Sequence, residues 1–140
     1  MITAKVYETL PEQAELIRKS VFMDEQGYKD EFDETDNIAW HILLTDGAKP
    51  VATCRVFFDK SLDSFLLGRL AVMKEYRGKA LGSMAVTEAE KLVASKGGKS
   101  IVLHAQCRVR EFYEKLGYKA FGEPDYDEDC EHIWMKKIIK

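Results

Sequence analysis

The chain has 140 residues, is 46% hydrophobic, and sets 21 Lys plus Arg against 24 Asp plus Glu for a net charge of −3. That is enough for one domain with a real core, without disulfides or metals, and it is not the basic footprint of a general nucleic-acid binder. No apolar run approaches the roughly 18 residues of a membrane span, the start Met1-Ile2-Thr3-Ala4-Lys5 has no signal-peptide pattern, and Cys54, Cys107 and Cys130 are scattered without Cys-x-x-Cys spacing. A cytoplasmic protein with reduced thiols, no zinc site and no membrane or nucleic-acid partner is expected.

Ile2, Ala4 and Val6 alternate with polar residues as in a half-buried strand. Thr9 with Glu12 reads as a capping box, followed at helical spacing by Leu10, Ala14, Ile17 and Val21. The acidic stretch from Asp30 to Asp36 has no apolar period and is expected to be an exposed loop. Trp40 to Thr45, Val51 to Phe58 and Phe65 to Val72 are β-rich, with turn signals at Asp46-Gly47-Ala48-Lys49-Pro50 and Asp59 to Ser64, so three consecutive strands form a meander.

The stretch after Val72 is the centre of the chain. An apolar strand end runs into Lys74-Glu75-Tyr76-Arg77-Gly78-Lys79-Ala80-Leu81-Gly82-Ser83, then into a helix with Leu81, Ala85, Ala89 and Leu92 on one stripe, stopping at Gly97-Gly98. Small residues at Gly78, Ala80 and Gly82 let an anion reach the main chain. The helix start offers oriented N–H donors, and Arg77 and Lys79 add charge, so a phosphate-bearing ligand is expected. A P-loop is a poor fit because Ser83-Met84 follows Gly82 with no Lys in place. A dinucleotide fingerprint is a poor fit because the loop offers only Gly78 and Gly82. An ordinary strand-to-helix turn with solvated charges is the plain alternative.

Ile101-Val102-Leu103 reads as a buried parallel strand that completes a βαβ unit. Val109, Phe112, Tyr113 and Leu116 then share a helix face that ends at Gly117, before strand-like Tyr118 to Phe121, an acidic loop from Asp125 to Asp129, and a last strand at His132-Ile133-Trp134-Met135. The order β α β β β α β α β β predicts an α/β (α+β) domain over residues 1–140, a mixed, mostly antiparallel central sheet with helices on its faces.

Two motifs carry a resemblance. Arg77-Gly78-Lys79-Ala80-Leu81-Gly82 is similar to the acetyl-CoA loop Arg/Gln-x-x-Gly-x-Gly/Ala of the GNAT N-acetyltransferase superfamily, with Ala80 where the pattern has its first Gly. Alanine permits a right-handed helical start, so the loop is expected to survive. Gln106-Cys107-Arg108-Val109-Arg110-Glu111-Phe112-Tyr113-Glu114-Lys115-Leu116-Gly117-Tyr118 resembles the second signature, Asn-x-x-Ala-x-x-Phe-Tyr-x-x-x-Gly-Phe/Tyr, departing at Gln106 and Val109. The likeness extends to the ElaA/YjcF-like branch through Val21 to Gln26, Ala105-Gln106 and Glu131 to Met135.

The resemblance implies a GNAT-type sheet that splays after Leu70-Ala71-Val72 and pairs its main chain with pantetheine. An N–H, that of Val72, would polarise the thioester carbonyl, a donor aimed at a developing oxyanion. It also implies acetyl-CoA as co-substrate held by Leu70, Ala71, Val72, Arg77, Gly78, Lys79, Ala80, Leu81, Gly82, Ser83 and Gln106, direct attack by a primary amine, and Tyr113 as general acid, against a plain packing role for that ring. Glu25, His41 and His132 are the candidates for acceptor binding and proton removal. Cys107 beside Gln106 invites a nucleophile reading, but no His follows at a motif spacing. Acidic segments at Asp24-Glu25, Asp30 to Asp36 and Asp125 to Glu131 predict a preference for cationic amines that salt weakens. A CoA-binding or regulatory module without turnover, and acetylation of protein lysines or N-termini, stay open, as does a homodimer.

Overall fold

A computed structural model describes residues 1–29 and 32–139. Seven strands form one sheet: β1 (Ile2–Tyr7), β2 (Trp40–Asp46), β3 (Lys49–Asp59), β4 (Ser64–Val72), β5 (Ser100–Gln106), β6 (Lys119–Asp127) and β7 (Cys130–Ile138), in the spatial order β1-β2-β3-β4-β5-β7-β6. Only β4 and β5 are parallel, because the connection between them is a helical crossover, while every other neighbour pair is antiparallel.

Alternation along β2 divides the core. Ile42 and Leu44 face α2 (Leu81–Ser95), whose Leu81, Ala85, Val86, Ala89 and Val93 are buried, together with Tyr113 of α3 (Arg110–Lys115). Leu43 between them faces the opposite way, onto Ile17, Val21 and Phe22 of the first helical segment. Helices therefore cover both faces, as the pattern of elements predicts.

Four local expectations are corrected. The Thr9–Glu12 capping box does not form: α1 (Glu12–Arg18) starts behind Pro11, with no side-chain cap. Its coil then widens into a π-helical segment, Lys19–Glu25, which delivers Gln26 and Tyr28 to the sheet edge. Of the acidic stretch, Asp30 and Glu31 lie outside the described residues. Asp36 is buried, and it and Asp33 are bound into an ion network, with Asp33 capping a short 3₁₀ turn at Glu34–Asn37. The acidic run 125–129 is mostly strand, since β6 continues to Asp127 and only Glu128 and Asp129 make the hairpin turn.

The fourth correction concerns Ala80, which is left-handed (φ 63°, ψ 20°) immediately before α2 rather than at a right-handed start. A β-carbon makes that conformation costly by about 1–2 kcal/mol, so the loop keeps a glycine's shape with an alanine.

Candidate active site

The site begins where two strands part. β4 and β5 pair only at Phe65↔Ile101, Leu66↔Val102 and Leu67↔Leu103, although β4 runs on to Val72 and β5 to Gln106. The cause lies on the other side of β4. Between Thr53↔Ala71 and Arg55↔Gly68, β4 takes one more residue than β3, and Arg69 within that bulge has φ 54°. A bulge bends its strand, and here it turns β4 away from β5.

The bend exposes main chain. Met73 N–H donates to the Val51 carbonyl at 2.9 Å on the β3 side; by strand alternation Ala71 points there too, and the N–H groups of Leu70 and Val72 face the opening. The Val72 carbonyl shares that edge, where it accepts from Arg77 Nε at 3.1 Å.

Beyond β4, a 3₁₀ turn (Lys74–Tyr76), Gly78 at φ 81° and left-handed Ala80 fold the chain back into α2. Met84 N–H is bonded to the Ala80 carbonyl, so the amides of Leu81, Gly82 and Ser83 precede the first helical bond and are open at the positive end of a 15-residue helix. Arg77 makes a two-pronged pair with Glu25 at 2.6 and 2.8 Å. That bond holds the Glu25 carboxyl below the usual carboxylate range and the guanidinium above its own.

These groups line a cleft of ≈ 620 Å³. Of the eleven residues expected at the co-substrate, nine line it: Leu70, Ala71, Val72, Arg77, Gly78, Ala80, Leu81, Gly82 and Ser83. Lys79 does not; its ammonium lies 5.0 Å over the Tyr76 ring. Gln106 borders instead a second cavity of ≈ 210 Å³ on the other side of the split. Gln26, Leu70, Arg108, Val109 and Tyr113 line both, so the two are halves of one passage through the sheet.

Tyr113 stands at the junction, 8% exposed, its hydroxyl without a hydrogen bond among the described residues. Burial raises its pKa, so it stays protonated at neutral pH. Gly82 packs closely on its neighbour: a β-carbon there would meet the Phe112 ring at 3.1 Å, and the ring would have to give by a few tenths of an ångström.

The three acceptor candidates are not brought together. Glu25 sits in the larger cleft, committed to Arg77. His41 borders neither cavity; 1% exposed, it donates from Nε2 to the Asp36 carbonyl at 3.0 Å, and burial lowers its pKa. His132 lines the smaller cavity, with Nδ1 donating to the Cys130 carbonyl at 2.9 Å. Gln106 donates to Gln26 Oε1 and accepts from Arg108 Nε, both at 2.8 Å, a polar chain along the wall.

Sequence reasoning misses His104, and it names Asp125 only as part of an acidic segment. His104 is stacked between His132 (4.7 Å) and Trp134 (4.5 Å) and bonded through Nε2 to Asp125 at 2.6 Å. The available signal was period two: His104 and Gln106 on one strand, His132 and Trp134 on another.

Cys54 and Cys107 are poor nucleophiles. Burial pushes Cys54 up to about 12 and also raises Cys107, and all three thiols are free. Among the described residues no three metal-ligating side chains converge, and no helix is long and apolar enough to cross a membrane. The acidic rim expected around the acceptor is a mixed one, with Asp127 and Glu128 beside Arg69 and Arg108.

Known proteins resemble this chain in sequence and in fold. The family described as acetyltransferase (GNAT) domain matches residues 8–139. The uncharacterized N-acetyltransferase YjcF of Bacillus subtilis (strain 168) is 32% identical over 139 residues, covering 97% of each chain. The crystal structure of Escherichia coli ElaA superposes with a TM-score of 0.86 at 26% identity, covering 98% of this chain and 99% of that one. An aminoglycoside 6′-N-acetyltransferase complexed with coenzyme A shares the fold at a TM-score of 0.74 and 20% identity, covering 100% and 97%.

Proposed function

We infer that this chain, which belongs to the GNAT acetyltransferase family, moves an acetyl group from acetyl-CoA to a primary amine on a small molecule. The observation that carries the reading is the split between β4 and β5, with outward main-chain donors on one edge, a helix N-terminus at one end and a buried tyrosine at its waist. In this reading the pantetheine lies along the Leu70–Val72 edge as an extra strand. The pyrophosphate sits on the amides of Leu81, Gly82 and Ser83, near Gly78 and Arg77. Gln106 then contributes to the wall on the acceptor side rather than to the pyrophosphate loop.

The chemistry needs no covalent enzyme intermediate. A neutral amine attacks the thioester carbon, and the Val72 N–H stabilises the charge growing on the carbonyl oxygen. As the tetrahedral adduct collapses the C–S bond breaks, Tyr113 gives its proton to the sulfur, and the proton on the former amine nitrogen returns to the tyrosinate. The ≈ 210 Å³ of the second cavity suits a small acceptor better than a polypeptide. Three free thiols suit a reducing compartment.

Acetyl-CoA turnover against a panel of small primary amines tests the reading, with calorimetry of acetyl-CoA binding alongside. Binding with turnover supports it. Tight binding without turnover for any amine would favour the regulatory module, and turnover only on peptides would favour a protein acetyltransferase.

A further inference from the structure

The smaller cavity is lined by a histidine held in one tautomer. β5, β7 and β6 are neighbours, and their registers place Gln106, His132 and Asp125 in one cross-strand row, with His132 in the middle. His104, two residues before Gln106, stacks on the His132 ring and bonds to the Asp125 carboxylate. A carbonyl can only accept, so the bond from His132 Nδ1 to the Cys130 oxygen fixes the proton of the neutral ring on Nδ1. Nε2 then carries the lone pair, and it has no hydrogen bond among the described residues. His132 is 6% exposed and borders the cavity beside Tyr113.

We propose that His132, through Nε2, takes the proton from the acceptor's ammonium group, and that Asp125 and His104 are positioning residues that hold the ring. The idea rests on the acetyl-transfer reading above. Proton transfer gives neutral amine and imidazolium; the amine forms the C–N bond, and the imidazolium returns its proton to water after the thiol leaves. The other charged and titratable groups around the ring divide by sign: Asp127 and Glu128 at the hairpin turn, Arg69 from β4 and Arg108 after β5, with neutral Tyr28 from the end of the π-helical segment. Asp125 is thus the carboxylate aligned with His132 in the ladder.

Two readouts test this. Nitrogen-15 NMR of the imidazoles, on the whole protein with acetyl-CoA absent and present, should show neutral His132 protonated on Nδ1. In Asp125→Asn the His104 ring loses its carboxylate partner, and the His132 nitrogen signals should move toward the average of the two neutral tautomers. Neutral His132 protonated on Nε2 in the wild type, or an Asp125→Asn spectrum identical to that of the wild type, overturns the proposal. In turnover, butylamine arrives protonated and aniline arrives neutral. His132→Gln should lose about 10²- to 10⁴-fold in kcat/KM with butylamine and much less with aniline, while acetyl-CoA affinity is unchanged. Asp125→Asn should lower kcat/KM with butylamine more than with aniline. Equal losses with both amines, or a larger loss in His104→Gln than in His132→Gln, would refute His132 as the base. A wild type that acetylates neither amine would count against the acetyl-transfer reading, and the NMR result would still decide whether His132 is set up as a base.

Discussion

Asp36 ties the first helix, through Arg18, to β3 opposite the bulge, through Arg55, and replacing it with Asn gives a sharp test of that role. Its carboxylate accepts from Arg18 at 2.8 and 3.1 Å and from Arg55 at 3.0 Å, with side chains only 1%, 7% and 7% exposed for Arg18, Arg55 and Asp36. Asp33 continues the chain to Arg55 at 2.7 Å and to Arg69 of the bulge at 3.2 Å. Burial alone would raise the Asp36 pKa, but the hydrogen bonds and charges of Arg18 and Arg55 outweigh it and bring it from the ordinary 3.8 to about 2. A drop of that size corresponds to about 2 kcal/mol at about 1.4 kcal/mol per unit. Removing one member of a buried pair costs about 3–5 kcal/mol when the partner is left alone. Because Asp33 still faces Arg55, Asp36→Asn should cost about 2–3 kcal/mol, at the lower edge of that range, and lower the Tm by about 10 °C. The folded pKa is depressed, so the stabilisation is complete above the unfolded value near 3.8 and is lost as pH falls toward 2. Urea unfolding of wild type and variant from pH 7 to pH 2 measures both. Two curves less than about 0.5 kcal/mol apart at pH 7, or a difference that fails to shrink between pH 4 and 2, would refute the reasoning.

Three further outcomes follow from the same geometry. Tyr113→Phe should lower kcat by about 10²- to 10⁴-fold with acetyl-CoA affinity nearly unchanged, since only a hydroxyl leaves a packed ring; a twofold effect in steady-state turnover would return the residue to packing. Ala80→Gly relieves a left-handed alanine at φ 63° and should raise stability by up to about 1 kcal/mol, net of glycine's greater chain entropy. Thermal unfolding reads that gain, and acetyl-CoA affinity by calorimetry should not fall. Gly82→Val should weaken acetyl-CoA binding at least tenfold and also lower the Tm, because the new side chain enters the Phe112 contact at 3.1 Å as well as the loop; unchanged affinity would remove this loop from the site.

The order and type of the elements were legible from β-rich runs bounded by turn residues and from the helical spacing of Leu81, Ala85 and Ala89, whereas Ile42, Leu43 and Leu44 are all apolar and only the strand's alternation in the fold sends Leu43 to the opposite face. The proposed anion loop was legible because its donors are local, within seven residues of chain from Arg77 to Ser83. The proposed acceptor side was not, because it is assembled by register. Gln106, His132 and Asp125 meet only once β5, β7 and β6 are aligned, and nothing in the spacing of the sequence states that alignment. The acidic stretch misled for a related reason: Asp33 and Asp36 look solvated until Arg18, Arg55 and Arg69 arrive from three other elements. Ala80 misled differently, since a residue type reports what backbone it prefers and not what a loop forces upon it.

The central claim, that the cleft between β4 and β5 is where acetyl-CoA binds, is tested most directly by amide NMR with acetyl-CoA titrated into the protein. The amides of Leu70, Val72 and Gly78 through Ser83 should show the largest shifts, saturating together with those of residues around Tyr113. Saturable binding that leaves these amides unmoved, or that moves instead the apolar surface around Phe121 and Ile138, would contradict the account.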